Sequence, residues 1–464
     1  MNELGKPVVG LLPLMLEMYK QYSPDMIVKQ KPFVERIAMD LGRFAAVHTA
    51  PICSNRKEVS AAVKGLEAKG ADILVVLFVS YATSISVLNP LLETALPLLL
   101  YSTTPKSSMA EGMSMEDIML NHGVHGYMDL SNVLRRNERP FFFTAGKPGD
   151  QAALAQVERY ARVARVRALL REARIGIAGY TFDGMGDFGV DTTFLNTALG
   201  PEVRHVPLNF LAERVAAVSD GDAEREIERD RSQYTVDKSV SGDIHRESNR
   251  VYLGLKHVVD ELSLNAFTMH FQGVLESPEI RTLPFLAITK LQRDGLAYAG
   301  EGDLLGATGN LILRYLCGDT LFTETFCPDF DGGRIVMGHM GESNPAFGRA
   351  VLRRKKFMFG KALDPVVADV ETEPARATVL NLGIVEDGAL QMIVYTGEIC
   401  GKIPGSPDID MPYFHFKPDA PLEELLAEYG RAGGTHHVAI TRGDRREEIA
   451  VVAELLNLDL HVLT

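Results

Sequence analysis

The stretch Ala71-Asp-Ile-Leu-Val-Val-Leu-Phe78 is a nearly continuous apolar run with the length of a buried β-strand. It follows the segment from Glu58 to Lys69, whose apolar residues recur at helical spacing. Alternation of strand-like runs with helical patterns predicts a mostly parallel sheet with helices on both faces. The first 150 residues repeat this alternation, with a further helical pattern at Phe33 to Leu41 and further strand-like runs at Val8 to Leu14, Ala45 to Cys53, Leu96 to Ser102 and Pro140 to Ala145.

A second α/β region is predicted after a long helical stretch, Gln151 to Ala173. A strand-like run, Ile175 to Tyr180, opens this region, and a helix at His245 to Leu262 precedes a strand at Ala266 to Phe271. The segment from Glu213 to Arg250 is strongly charged, and we interpret it as a solvated helix and loop.

After Leu321 the pattern changes to strands and turns. Ala377 to Gly383 and Leu390 to Tyr395 flank a Glu-Asp-Gly turn, which predicts a hairpin, and a short helix is expected at Pro421 to Glu428. The expected fold class is therefore α/β, with two Rossmann-like three-layer domains followed by a mainly β domain. The predicted domains are residues 1–173 (N-terminal α/β), 174–317 (central α/β) and 318–464 (C-terminal, mostly β).

Composition narrows the function classes. The chain has 464 residues, 46% of them hydrophobic and 23% charged, with a net charge of −13. This negative charge argues against nucleic acid and against an anionic membrane surface as partners. No apolar run is long enough to span a bilayer, and the N-terminus lacks a basic segment followed by a cleavable apolar one. The four cysteines form no Cys-x-x-Cys pair, so we expect a reduced, cytoplasmic protein.

Two carboxylates and two imidazoles in the last third of the chain are candidate metal ligands. Glu301, Glu324, His339 and His437 each lie beside glycines or small residues near the end of a strand-like run. Side chains from different strands can converge at such ends. Oxygen and imidazole ligands without a thiolate suit a divalent cation of the Mn²⁺ type, with positions left open for the oxygens of a substrate.

Each of these residues also has a simpler interpretation. Glu301 could be an N-cap acid of the helix expected at Leu304 to Leu316, and Asp329 competes with Glu324 as the second carboxylate. An isolated histidine on an apolar strand, such as His339, is more often a satisfied core residue. His436 and His437 point to opposite faces of a strand, so only one of them can enter a given site.

The segment Gly184-Met-Gly-Asp-Phe-Gly189 matches the dinucleotide-binding pattern G-x-G-x-x-G. No clear helix follows it, and Asp183 and Asp187 would oppose a pyrophosphate. A nucleotide-dependent oxidoreductase is therefore the most distant of the functions considered.

Taken together, the motifs resemble those of the L-arabinose isomerase family, most closely over residues 264–342 and 375–464. The resemblance rests on six blocks: Tyr298 to Asp303, Phe322 to Phe330, Gly338 to Met340, Ala432 to His437, Ala266 to Phe271 and Asn121 to Gly126.

The resemblance implies an aldose–ketose isomerase that acts on a small sugar through an enediol. It assigns Glu301 and Glu324 to both metal binding and acid–base catalysis, and His339 and His437 to metal binding. Mn²⁺ is the expected ion, with Co²⁺ or Mg²⁺ as other divalent candidates. The predicted substrate contacts are His125, Phe271, Phe322 and Met185. In this family His125 would reach the pocket of a neighbouring subunit, which implies a homo-oligomer, either a trimer or a hexamer.

This chain departs from the family at two places that bear on the sugar. Gly10-Leu-Leu-Pro-Leu-Met15 replaces a polar N-terminal turn that binds sugar, and His270 stands where the family usually has Asn. The alternatives left open are an isomerase or epimerase of a different or modified sugar, and a non-catalytic sugar-binding relative.

Overall fold

The computed structural model describes residues 5–109, 113–356, 362–406, 409 and 411–464. The chain divides into two compact units, Asn2–Ala168 and Leu169–Thr464. The division falls within one long helix, Gln151–Glu172. The three-domain organisation, with its boundary at residue 317, stays a prediction.

The N-terminal unit contains a five-stranded parallel sheet in the order β2-β1-β3-β4-β5. Strand β3, which carries the apolar run, lies near the centre of this sheet, and all six of its residues are buried. The strands are β1 (Val8–Leu14), β2 (Ala46–Thr49), β3 (Ile73–Phe78), β4 (Leu98–Ser102) and β5 (Phe142–Ala145). The helices are α1 (Glu17–Tyr22), α2 (Asp25–Leu41), α3 (Arg56–Ala68), α4 (Ser84–Glu93), α5 (Met115–Asn121), α6 (Val124–Arg136) and α7 (Gln151–Glu172).

The second unit begins with a four-stranded parallel sheet in the order β10-β9-β6-β7. Its strands are β6 (Arg174–Ala178), β7 (Glu202–Val206), β9 (Ala266–Met269) and β10 (Ala297–Gly300). The helices between and after them are α8 (Thr192–Leu199), α9 (Leu208–Ala216), α10 (Asp220–Gln233), α11 (Gly242–Leu262), α12 (Phe271–Val274), α13 (Phe285–Arg293) and α14 (Leu304–Cys317). Between α10 and α11 lies a short strand, β8 (Thr235–Val236).

A seven-stranded mixed sheet follows in the order β15-β18-β11-β12-β17-β16-β19, and β15 also pairs with β16. Its strands are β11 (Leu321–Asp329), β12 (Arg334–Gly338), β15 (Ala375–Ile384), β16 (Leu390–Gly401), β17 (Tyr413–Pro418), β18 (His437–Arg442) and β19 (Asp459–Leu463). Helices α15 (Leu422–Arg431) and α16 (Arg446–Leu456) lie between its last strands in the chain. A small sheet joins β14 (Val366–Thr372), β13 (Gly348–Arg354) and β8.

The structure confirms the α/β fold class, with parallel sheets flanked by helices and a mainly β C-terminal part. The expected hairpin is β15 and β16, joined by a short 3₁₀ turn, Glu386–Gly388. The interpretation of residues 213–250 as a solvated helix and loop holds for the outer face of α10, where most of its charged residues are exposed, but not for the inner faces of α10 and α11. The inner faces of these helices bury Glu226, Asp230 and Asn249, whose polar groups are paired in the interior.

In the part of the chain that the structure describes, no helix combines the length and the apolar character that crossing a membrane requires.

Candidate metal centre

The register of the C-terminal sheet brings three of the four candidate ligands together. On β11, Glu324 pairs with His437 of β18 on one side and with Gly338 of β12 on the other. His339 directly follows Gly338. Backbone pairing therefore sets one carboxylate beside both imidazoles, although these residues lie up to 113 positions apart in the sequence (437 minus 324).

Glu301 lies in the turn between α14 and β10, a strand of the four-stranded parallel sheet. It has a φ of +61°, a left-handed conformation that is uncommon for a residue other than glycine and is often found at functional sites. Gly302 continues the turn at a φ of +76°, and a Cβ there would lie 2.4 Å from the backbone oxygen of Tyr180. A Cβ on Gly300 would lie 2.9 Å from the ring of His339. The two glycines thus allow the turn to approach its neighbours closely.

Glu301, Glu324, His339 and His437 converge on one point. Each offers one ligand atom, and these four atoms all lie within 4.8 Å of one another. Nε2 of His437 is 3.2 Å from Oε1 of Glu324 and 3.6 Å from Oε2 of Glu301, and Nε2 of His339 is 3.5 Å from Oε1 of Glu324. Oε2 of Glu301 and both Nε2 atoms are buried without a hydrogen-bond partner.

Each imidazole forms a hydrogen bond with a second carboxylate, on the side of the ring that faces away from the centre. Nδ1 of His339 donates to Oε2 of Glu342 at 2.6 Å, and Nδ1 of His437 donates to Oδ2 of Asp303 at 3.0 Å. Because the ring protons are used on Nδ1, each Nε2 keeps a lone pair that faces the centre. Metal-binding histidines in proteins are oriented in this way.

These two supporting carboxylates are themselves anchored. Glu342 also accepts a hydrogen bond from the hydroxyl of Tyr298 at 2.8 Å. Asp303 is the N-cap of α14 and accepts the backbone N–H of Gly306 at 2.8 Å. The N-cap of this helix is thus Asp303, not Glu301 as the simpler interpretation allowed, and Glu301 stays available to the centre.

The electrostatics of the cluster favour a positive charge at its centre. Burial alone would lower the pKa of His437, but the carboxylates of Asp303, Glu301 and Glu324 around its ring raise it well above its usual 6.5. Burial alone would raise the pKa of Glu324, but the two histidines beside it hold it below its usual value. The centre is surrounded by four carboxylates, those of Glu301, Asp303, Glu324 and Glu342. Among the described residues, histidines are their only ion-pair partners. Two neutral imidazoles would leave the carboxylate charge uncompensated, so the cluster suits a divalent cation.

The residues present therefore fit a metal ion of the first-row type. Three buried polar atoms lack partners, both rings have the tautomer of a ligand, and the donors are oxygen and imidazole nitrogen without a thiolate. Asp329, which competed with Glu324, accepts the backbone N–H of Gly332 in the β11–β12 hairpin and is not among the four converging residues.

The loop that carries the G-x-G-x-x-G match, residues 179–189, forms one side of the centre. The buried ring of Phe188 stacks on His437 with centroids 5.0 Å apart and an interplanar angle of 9°. Asp187 accepts hydrogen bonds from the backbone N–H and the Nδ1–H of His436. His436 therefore turns outward to the loop while His437 turns inward, as expected for successive strand residues.

The predicted substrate contacts fall in different places. Phe322 is buried, with its ring centroid 4.8 Å from those of both His339 and His437. Met185 is half-buried in the loop of residues 179–189, and Phe271 opens α12 and stacks on Phe182. His125 lies in the N-terminal unit on α6, where it is exposed and hydrogen-bonded to His122.

Sequence reasoning missed the supporting residues Asp303, Glu342 and Phe188. Asp303 lies in the same block as Glu301, and its position before a helix was the only local signal. Glu342 follows His339 by three residues and resembles an ordinary turn acid. Phe188 was visible only as part of a glycine-rich pattern, because its contact with His437 spans 249 positions (437 minus 188).

We expect Asp303→Asn to weaken Mn²⁺ binding by about 10- to 100-fold, since the loss of the carboxylate behind His437 removes the group that orients and polarises this ring. Asparagine is also a good N-cap, so the stability of α14 should change little. Isothermal titration calorimetry of the metal-stripped protein with Mn²⁺ measures the effect. Asp329→Asn, in the hairpin, is the matched control, and equal affinities in the two variants would contradict the role given to Asp303.

Comparison with known proteins gives matches along most of the chain. Residues 190–316 match the L-arabinose isomerase central domain, and residues 319–459 match the L-arabinose isomerase C-terminal domain. Among curated proteins, the L-arabinose isomerase of Acidothermus cellulolyticus is 25% identical over 387 residues, which cover 80% of this chain and 76% of the relative.

Two further relatives carry the same name. The L-arabinose isomerase of Mycolicibacterium smegmatis is 27% identical over 75% of this chain and 72% of its own length. That of Klebsiella pneumoniae (strain 342) is 24% identical over 79% of this chain and 76% of its own length. A solved structure of a periplasmic sugar binding protein from Legionella pneumophila aligns with a TM-score of 0.16 and 9% identity, covering 67% of this chain and 95% of the other, and it supports no argument.

Proposed function

Because this chain belongs to the L-arabinose isomerase family, as a divergent member, we propose that it is a metal-dependent aldose–ketose isomerase of a small sugar such as L-arabinose. The observation that carries the proposal is the convergence of Glu301, Glu324, His339 and His437 on one point, with three unpartnered buried atoms. Sugar binding alone would not require two glutamates and two oriented imidazoles at one centre.

We propose Mn²⁺ as the ion, held by the four converging residues, because oxygen and imidazole donors without thiolate suit it, and Co²⁺ or Mg²⁺ are the other candidates. When bound, the ion would act as a Lewis acid toward the carbonyl and neighbouring hydroxyl oxygens of the open-chain sugar. His339 and His437 are fixed for this task by Glu342 and Asp303.

The two glutamates are the proposed proton carriers. An aldose and its ketose differ by hydrogen moved between C1 and C2 and between the two oxygens. One carboxylate takes the proton from C2 while the C1–C2 double bond forms and the carbonyl oxygen O1 gains a proton. Loss of the O2 proton and return of a proton to C1 then give the ketose. Glu324 suits the role of base because its side chain is only half-buried and its carboxylate reaches the point on which the four residues converge.

Aromatic side chains line the centre with apolar surface. Phe322 packs edge-on against both histidine rings, and Phe188 stacks on His437. A low-dielectric wall strengthens the interactions of the carboxylates with charge that develops on the sugar. Phe271, Met185 and Phe322 stay proposed substrate contacts.

We propose further that the enzyme is a cytoplasmic homo-oligomer, a trimer or a hexamer. The four cysteines, all among the described residues, are not joined in disulfides, which suits a reducing compartment. The exposed His125 would contact the sugar in the site of a neighbouring subunit.

The experiment that tests the proposal is a screen for ketose formation with metal-stripped protein resupplied with Mn²⁺. The substrates are L-arabinose, D-galactose, L-fucose and other aldopentoses and aldohexoses, with L-ribulose for the reverse reaction. We expect Mn²⁺-dependent turnover of at least one, and chelation should abolish it.

Gly10 to Met15 are all buried in or beside β1 and offer no polar side chain, so the preferred sugar is expected to differ from that of typical relatives.

Mn²⁺ binding without turnover of any sugar would overturn the isomerase assignment for these substrates. It would favour an isomerase or epimerase of a modified sugar, or a non-catalytic relative. A protein that binds no divalent metal would show that the four-residue centre itself is wrong.

A further inference from the structure

His270 occupies a place beside the centre that the proposed mechanism does not use. It directly follows β9, just as Glu301 directly follows β10. Met269 and Gly300, the last residues of these two parallel strands, pair with each other. His270 and Glu301 therefore leave adjacent strands at the same level, at the carboxyl edge of the sheet, where α/β sheets commonly bind ligands.

The tautomer of His270 is determined by its surroundings. The backbone N–H of Gly273 donates to Nδ1 of His270 at 3.0 Å. Because an amide N–H can only donate, Nδ1 carries no proton, and the proton of the neutral ring is on Nε2. Burial lowers the pKa of His270, so the ring is neutral at neutral pH. His270 is 2% exposed as a residue, and among the described residues Nε2 has no hydrogen-bond acceptor, while this atom is not closed off from solvent.

Aromatic contacts hold this ring in place. Tyr180 stacks on His270 with centroids 4.4 Å apart, and Phe182 lies at 5.1 Å. The ring of Phe271 is nearly parallel to that of His270, at an interplanar angle of 7° and with centroids 6.0 Å apart. The backbone N–H of Phe182 donates to the backbone oxygen of Glu301 at 2.9 Å, which ties this aromatic group to the metal-binding turn. Nε2–H of His270 is thus a donor on a ring held by its neighbours, without an acceptor among the described residues, at the strand end next to that of Glu301.

We propose that His270 is a specificity-determining residue that donates its Nε2–H to a hydroxyl oxygen of the sugar beside Glu301. This inference rests on the proposed function. Asparagine, the residue that the family resemblance places here, can also accept the N–H of Gly273, but its side chain ends short of the position of Nε2. The imidazole therefore gives this chain a hydrogen bond to the sugar at a point that an asparagine does not reach.

The test uses His270→Asn and His270→Ser, which both keep an acceptor for the N–H of Gly273 and remove the Nε2 donor. His205→Asn, an exposed histidine of β7, is the matched control. Calorimetry measures the binding of Mn²⁺ alone, and then of the inert polyols L-arabinitol and galactitol to the Mn²⁺-loaded proteins.

We expect the Kd of the better-bound polyol to rise by about 3- to 10-fold in both His270 variants, as for the loss of one neutral hydrogen bond, with no change in His205→Asn. Mn²⁺ affinity should stay within about twofold, since no ligand is altered. With a sugar that the wild type isomerises, KM should rise by a similar factor while kcat changes less.

Equal polyol affinities in the wild type and the variants, or no polyol binding to the wild type, would overturn the inference. If the wild type isomerises no aldose but binds polyol in a His270-dependent way, the proposed function fails and the inference stands.

If neither variant folds, nuclear magnetic resonance of wild-type protein labelled with ¹⁵N-histidine decides. A polyol-induced shift in a neutral imidazole protonated on Nε2 supports the proposal. Unchanged signals from all 12 histidines contradict it.

Discussion

Glu324→Gln is expected to lower kcat by about 10³-fold, because the amide cannot take up the proton that a carboxylate removes from carbon. The substitution also removes a negative charge from between two imidazoles, His339 and His437, that lie 3.5 and 3.2 Å from Oε1. Mn²⁺ affinity should therefore fall together with kcat. Initial rates of ketose formation at saturating Mn²⁺ separate the fall in kcat from the fall in metal affinity. Excess Mn²⁺ fills the metal site again, but it does not replace the lost base.

Asp329→Asn is the matched control, because Asp329 lies on the same strand, β11, and serves the hairpin turn. It should keep the wild-type kcat within about twofold, as a substitution of a carboxylate outside the centre. Circular dichroism and thermal unfolding show whether both variants are folded. Full turnover by a folded Glu324→Gln protein would exclude Glu324 from the proton transfer.

Asp230→Ala is expected to lower the free energy of unfolding by about 3 to 5 kcal/mol, the cost typical of removing one partner of a buried ion pair. Asp230 of α10 and Lys290 of α13 are both fully buried, with Oδ1 and Nζ 2.7 Å apart. Glu226 also lies 2.7 Å from Nζ and would remain as its single carboxylate partner. His245 and Asn249 would lose the acceptor Oδ2 at the same time.

Urea unfolding followed by circular dichroism measures this loss. Glu228→Ala is the control, because Glu228 is on the same helix but forms an exposed pair with Arg231, and such pairs contribute about 0 to 1 kcal/mol. A loss of stability in Asp230→Ala no larger than in the control would show that the buried cluster of Glu226, Asp230, His245, Asn249 and Lys290 does not stabilise this unit.

The same cluster predicts a pH dependence of stability. Burial alone would raise the pKa of Asp230, but hydrogen bonds from His245 and Lys290 and the charge of Lys290 hold it below its usual 3.8. A carboxyl whose pKa is lower in the folded state contributes stability above the unfolded pKa, about 3.9, and loses it as the pH falls through the folded value. The difference between wild type and Asp230→Ala should therefore shrink below pH 4.

Local pattern was enough to predict the strands of the N-terminal unit. Val8–Leu14 was predicted with its observed bounds, and the run that ends at Phe78 lies near the centre of the parallel sheet. Helix α16 and strand β19 were not predicted, and the charged helices α10 and α11 were interpreted as solvated. Charged residues along a helix indicate exposure to solvent only when no oppositely charged residue from another element pairs with them. Here Lys290 of α13 pairs with Asp230 of α10.

Three features were predicted from local sequence: the α/β class, the change to strands after Leu321 and four residues of the kinds that bind a divalent ion. These features follow from periodicity and side-chain chemistry, which act over a few neighbouring residues. Contacts between distant parts of the fold select Glu324 rather than Asp329 for the centre, and they set Asp303 and Glu342 against the two rings. Strand register and the left-handed turn at Glu301 make these choices, because they bring Glu301 and Glu324 beside His437, which lies more than a hundred residues further along the chain.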